Sequence, residues 1–167
     1  MVKAVNQFDE TTMTNRTELP PVEDVLPHRG NMRLIDHLIT FSNESVVAEY
    51  SPKTDAWYAD TEGNMPAWIG LELMAQAVAA HVGVLKLSEG KPQKNGVLVG
   101  TRRYSAAVPV FGANIPLQIH ATIFYQDISG IAAYDCNIKN GDTLLAEATL
   151  KVFEPDNFQT FLQESIS

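Results

Sequence analysis

Cysteine and positive charge are scarce in this chain of 167 residues, and each scarcity closes off a class of function. A single cysteine, Cys136, rules out an internal disulfide and suits a reducing compartment. It lies in a strand-like run, where a buried thiol is the expected state. Twelve Lys and Arg stand against twenty Asp and Glu, a net charge of −8. That balance argues against a nucleic-acid surface or an anionic membrane as partner. The four histidines and Cys136 show no metal-ligand spacing, so no metal site is implied. The glycines at 96 and 100 form no nucleotide-binding loop. The N-terminus lacks the apolar run of a secretory signal: Lys3 is followed by Asn6, Gln7, Asp9 and Glu10. The expectation is a soluble, cytoplasmic protein with no membrane span.

What the chain does have is one long apolar stretch. Residues 68–87 are rich in Leu, Met and Ala, all strong helix formers. Pro66 suits a first helical turn and Asn64 a cap. Gly70 and Gly83 allow close packing. A helix apolar on nearly every face has to be buried on nearly every face. Into it the sequence sets Glu72 and Gln76, four apart and therefore neighbours, with His81 on the opposite side. An acid in such surroundings is either a structural group satisfied by hydrogen bonds or a functional carboxyl facing a pocket.

The rest reads as one domain over 18–167, after a polar, mobile tail at 1–17. The prolines at 20 and 21 open a short helix that stops before Pro27. A turn at 28–30 leads to a short strand over 32–36, which His37 to Phe41 could extend, and a second strand covers 44–50. A loop over 51–63 carries an exposed-looking Trp57 and Tyr58. After the helix and a charged loop at 88–95 come four strands. Residues 115–126 alternate with Ile115, Leu117, Ile119, Ala121, Ile123 and Tyr125 inward and His120 on the polar face. Asn140 and Gly141 signal a hairpin, and Leu144, Ala146, Ala148, Leu150 and Val152 point inward from the last strand. The pattern predicts an α+β fold, one curved antiparallel sheet wrapped around one long helix. Its open side invites a second copy or a related subunit.

Leu26, Pro27, His28 and Arg29, followed by Met32 and Leu34 to Asp36, resemble the LPHR…LLVDR opening of the β-hydroxyacyl-acyl-carrier-protein dehydratases of the hotdog superfamily. Met65 and Pro66, then Glu72 and Met74 to Gln76, are similar to their MPG…E-x-MAQ helix. Val99 and Gly100, then Val108 to Gly112, match a later segment. The resemblance covers about residues 19–153 and is nearest to the dehydratase-like branch of aryl polyene biosynthesis. It implies a hotdog dimer, homo- or heteromeric, acting on an acyl chain carried on the phosphopantetheine of an acyl carrier protein, with no other cofactor. One departure stands out. Where the wider family has a catalytic histidine in a GHFPG loop, an ungapped comparison places Tyr58, and no histidine lies between His37 and His81.

Dehydration of a β-hydroxyacyl thioester needs a base for the α-proton, an acid for the leaving hydroxyl and donors for the developing enolate. Glu72 is the expected acid, its pKa raised by burial, with Gln76 orienting it. His28 is the candidate base, against a structural role. Tyr58 could donate a proton, or pack at the pocket mouth. Alternatively Glu72 makes both transfers, alone or through water. Met65, Pro66, Ala67, Trp68, Gln76 and Gly100 are expected at the substrate, with backbone donors from Ala67 onward. Arg29 and Arg33, or one of Arg102 and Arg103, could receive the carrier, or be solvated surface groups. A thioesterase using Glu72 and a water, or a silent subunit completing a partner dehydratase, are the other readings.

Overall fold

The computed structural model describes residues 19–166, so the N-terminal tail expected at 1–17 lies outside the described residues. A six-stranded antiparallel sheet curves around one long helix. The order is β1 (His37–Phe41), β2 (Ser45–Tyr50), β6 (Leu117–Gln126), β7 (Ile131–Asn140), β8 (Thr143–Phe153) and β4 (Val97–Ala106). A two-stranded ribbon joins β3 (Met65–Pro66) to β5 (Val110–Phe111). Among the described residues three α-helices complete the fold: α1 (Val22–Val25), the central α2 (Gly70–Ser88) and α3 (Phe158–Ile166). This is the α+β, helix-in-sheet architecture that the periodicity predicts.

The core lies between α2 and the concave face of the sheet. Leu73, Met74, Ala77 and Ala80 from the helix meet Ala48, Leu117, Ile119, Ile138 and Leu150, all buried. The two helix glycines are close-approach points. A Cβ at Gly83 would collide with the Val25 carbonyl of α1, and one at Gly70 with the Tyr104 hydroxyl. His81 is fully buried: its Nε2 donates to the Ser42 carbonyl (3.1 Å), which leaves Nδ1 to accept from the Tyr134 hydroxyl (2.9 Å).

Several local expectations change. Asn64 does not cap α2, because its Oδ1 accepts from the Ala113 N–H (3.1 Å). Pro66 is not in the first helical turn: it pairs with Val110 in the ribbon, and a 3-10 turn at Ala67–Ile69 leads into α2. Residues 32–36 are not a strand. A 3-10 turn covers Gly30–Met32, the Met32 carbonyl and the Leu34 N–H are engaged by the side chain of Gln76, and the Asp36 N–H reaches β2 at the Glu49 carbonyl (2.9 Å). The inward alternation of β6 breaks at a bulge between Ile123 and Tyr125, which leaves Tyr125 half exposed. Leu144, expected inward, is also substantially exposed. The apolar β4 is exposed almost throughout, because it forms one edge of the sheet and pairs only with β8. A bulge there, with Arg103 at φ 57°, cancels the simple alternation that would send Arg102 and Arg103 to opposite faces, and both are exposed. Helix α3 has no counterpart in the sequence reading.

Candidate active site

The α2 helix is not buried on every side. Trp68, Glu72, Ala75, Ala79, Val82 and Lys86 recur at helical spacing, and each keeps some exposure, Trp68 most of all at 68%. Most of this stripe, from Glu72 to Lys86, floors a groove of about 1100 Å³. One end of the groove is walled by the turn after α1, and the opposite side by the β7, β8 and β4 end of the sheet.

At one end of the floor Glu72 meets His28. Their nearest atoms, Oε1 and Nε2, are 3.7 Å apart, and both side chains are partly exposed (45% and 28%). The separation is longer than a direct hydrogen bond and suits a bridging hydroxyl or water. The desolvation expected of Glu72 is therefore missing in the single chain, because its face of α2 is the open one. The Nδ1 of His28 is buried without a hydrogen-bond partner.

Gln76 supplies the rigidity. Fully buried, it accepts at Oε1 from the Leu34 N–H (2.9 Å) and donates from Nε2 to the Met32 carbonyl (2.7 Å) and to Glu72 Oε1 (2.8 Å). The Leu34 N–H can only donate, so the amide orientation is fixed and the NH₂ must face the carboxylate. The same amide clamps the 30–34 turn onto α2. His28 is held by its neighbour: Arg29 donates to the carbonyls of Leu26 (2.5 Å), His28 (2.9 Å) and Glu23 (3.0 Å). That guanidinium is engaged by backbone, which argues for a structural Arg29 rather than a carrier contact. Arg33 pairs with Glu23 at 3.3 Å.

Tyr58 lies elsewhere. Only 7% exposed, contrary to its exposed look in the sequence, it accepts from the Lys53 N–H (2.9 Å), and its hydroxyl is 2.5 Å from that of Tyr50. Burial and this contact push the Tyr50 phenol well above its ordinary pKa. Trp57 donates from its indole to the Asn31 carbonyl (3.1 Å), tying the same loop to the turn below His28. The groove thus gathers Glu72 and His28, while Tyr58, Met65, Pro66, Ala67, Trp68, Gln76 and Gly100 do not line it. Met65 is core, Gln76 acts from behind Glu72, and Gly100 stands on the exposed edge strand. The Ala67 N–H, expected to be available as a helix-start donor, is engaged by the Pro109 carbonyl (3.0 Å). Sequence reasoning missed a further part of the groove lining, where Lys86 of α2 pairs with Glu154 just after β8. No local motif signals a pair 68 residues apart.

The comparisons with known proteins bear on the fold and the family. A chain of the dehydratase heterocomplex ApeI:P from Xenorhabdus doucetiae superposes with a TM-score of 0.83 at 25% identity, covering 90% of this chain and 100% of that one. A hypothetical thioesterase with coenzyme A from Streptococcus pneumoniae (TM-score 0.54, 17% identity, 71% and 84% covered) shares the fold. So does the phenylacetic acid degradation protein PaaI from Thermus thermophilus (0.53, 16%, 70% and 90%). None of the curated proteins matches the sequence. Residues 20–163, which run from the segment before α1 into α3 and carry both the Glu72 helix and the His28 turn, match the family described as ApeP dehydratase, and the chain belongs to this ApeP-like family.

Proposed function

We propose that this chain takes part in dehydration of a β-hydroxyacyl thioester carried by an acyl carrier protein, with Glu72 and His28 as the reacting pair. The observation that carries this is a carboxylate locked by Gln76, 3.7 Å from an imidazole, in a groove whose floor continues through Ala75, Ala79 and Val82. A substrate hydroxyl fits between the two. One member of the pair takes the α-proton, and the other, when it carries a proton, gives it to the departing hydroxyl, which leaves as water. Two such transfers account for roughly 10⁴–10⁸ in rate if each supplies about 10²–10⁴.

A related hotdog subunit is the proposed partner. The exposed β4, with Leu98 and Val99 uncovered at a free sheet edge, supports this, since such an edge offers unpaired backbone groups to a neighbouring strand. The heterocomplex formed by the similar dehydratase supports it too. The locked position of Tyr58, where the wider family has its histidine, favours a second reading in which this chain is the silent half and the partner carries the chemistry.

The test is turnover of a β-hydroxyacyl pantetheine thioester by the chain alone and by the assembled complex. Glu72→Gln and His28→Ala in this chain are each expected to lower kcat by at least about a hundredfold. Unchanged turnover in both variants selects the silent-subunit reading, and release of free thiol in place of an enoyl product selects a thioesterase.

A further inference from the structure

Glu72 and Lys86 lie on the same face of α2, since fourteen residues at about 100° each bring the helix back to within about 40°. Between them the groove floor is Ala75, Ala79 and Val82, small or branched apolar residues with no polar atom to satisfy. At Lys86 the character changes. Its ammonium pairs with Glu154, and the two side chains are only 13% and 26% exposed. The backbone on both sides is tied down. The Glu154 N–H donates to the Gly130 carbonyl (3.0 Å), the Lys91 N–H to the Lys86 carbonyl (2.9 Å), and the Gln93 amide to the Gly83 carbonyl (2.9 Å). Phe158 of α3 also lines the groove.

We infer that the Lys86–Glu154 ion pair is the end stop of the acyl-chain groove and sets the longest chain the site accepts. The inference rests on the proposed thioester substrate and names what selects among such substrates. An apolar chain gains about fourfold in affinity per buried methylene. Pushing it against a partly buried ion pair strips solvent from charged groups and gains nothing comparable. Fourteen residues of helix span about 21 Å from acid to stop. At about 1.2 Å per bond in an extended chain, that accommodates roughly seventeen bonds. The substrate class is therefore a long, extended acyl chain.

The test uses the chain in complex with its partner subunit and two ligand series of rising length: β-hydroxyacyl pantetheine thioesters for turnover, and unreactive alkyl pantetheine thioethers for binding by calorimetry. Wild-type affinity is expected to rise about fourfold per methylene and then level off near the estimated length. In Lys86→Met/Glu154→Leu, which removes both charges together and leaves neither unpaired, the plateau moves to longer chains. The ratio of kcat/KM for a chain beyond the stop to that for one well short of it then rises at least tenfold. Ala79→Leu, halfway along the floor, moves the plateau to shorter chains. A plateau at the same length in all three proteins overturns the inference, as does a uniform loss at every length in the double variant. A movable plateau in binding without turnover of any thioester would refute the dehydratase reading and leave the stop standing.

Discussion

Replacing Gln76 with leucine isolates the device that holds the candidate site. The side chain is buried and of similar volume to leucine, so the change removes hydrogen bonds and leaves little cavity. Three bonds are lost: from the Leu34 N–H, to the Met32 carbonyl and to Glu72. The Leu34 N–H belongs to a buried residue and would be left without an acceptor, at a cost of about 1–3 kcal/mol. Met32 is largely exposed, so its carbonyl can turn to water, and that loss is about 0.5–1.5 kcal/mol. The half-exposed Glu72 also rehydrates, adding about 1 kcal/mol. The sum is about 2.5–5.5 kcal/mol, a large part of the stability of a domain this size. At about 2–4 °C per kcal/mol it lowers Tm by roughly 5–22 °C. Urea and thermal unfolding followed by circular dichroism measure it directly. Turnover should fall as well, since the carboxylate loses its orienting donor. Gln76→Glu serves as the isosteric control: it keeps the shape but turns an acceptor toward the Met32 carbonyl and a like charge toward Glu72. It should therefore destabilise at least as much at pH 7 and recover on acidification. A Gln76→Leu variant within 1 kcal/mol of wild type would show that the clamp is dispensable and refute the reasoning.

Four further outcomes are expected. Tyr58→Phe leaves the Lys53 N–H without its acceptor and costs about 1–3 kcal/mol in unfolding, yet keeps dehydration within a few-fold; a hundredfold loss of kcat would restore Tyr58 to the chemistry. Gly83→Val drives a side chain into the Val25 carbonyl and should destabilise by more than about 2 kcal/mol in the same unfolding assay, with near-neutral behaviour contradicting the contact of α1 with α2. Burial raises the Cys136 thiol to about 12, so the folded protein should resist iodoacetamide at pH 8 and react only on unfolding, as followed by mass spectrometry. Burial also lowers the pKa of His81, with the hydrogen bond to the Ser42 carbonyl opposing it in part, and lowers that of His120, with Lys139 adding to the effect. The unfolded chain then binds more protons, so stability present above about pH 6.5 is lost as the pH falls, by at most about 1.4 kcal/mol per pH unit for His81. His81→Gln should flatten the pH 5 to 7 slope of urea-measured stability; an identical slope would remove His81 from the effect.

Much of this was legible without coordinates because it follows from period and composition. The helix containing Glu72, the alternation along β6 as far as Ala121 and the hairpin at Asn140 and Gly141 are local signals. The pairing of Glu72 with Gln76 follows from the i, i+4 spacing alone. The misread segments are those where a distant partner took over the backbone. Residues 32–36 have strand composition, but Leu34 gives its N–H to a helix side chain 42 positions away. Pro66 has the look of a helix start, yet it is drawn into a ribbon with Val110.

The sequence by itself determined that a single apolar helix must be wrapped by a sheet, and which carboxylate interrupts it, because burial periodicity is written residue by residue. Tertiary structure alone decided which side of that helix stays open, that His28 faces Glu72 while Tyr58 turns to Tyr50, and that Lys86 and Glu154 meet across 68 positions. Those outcomes depend on how separate elements cross one another, a long-range geometry that no local pattern encodes.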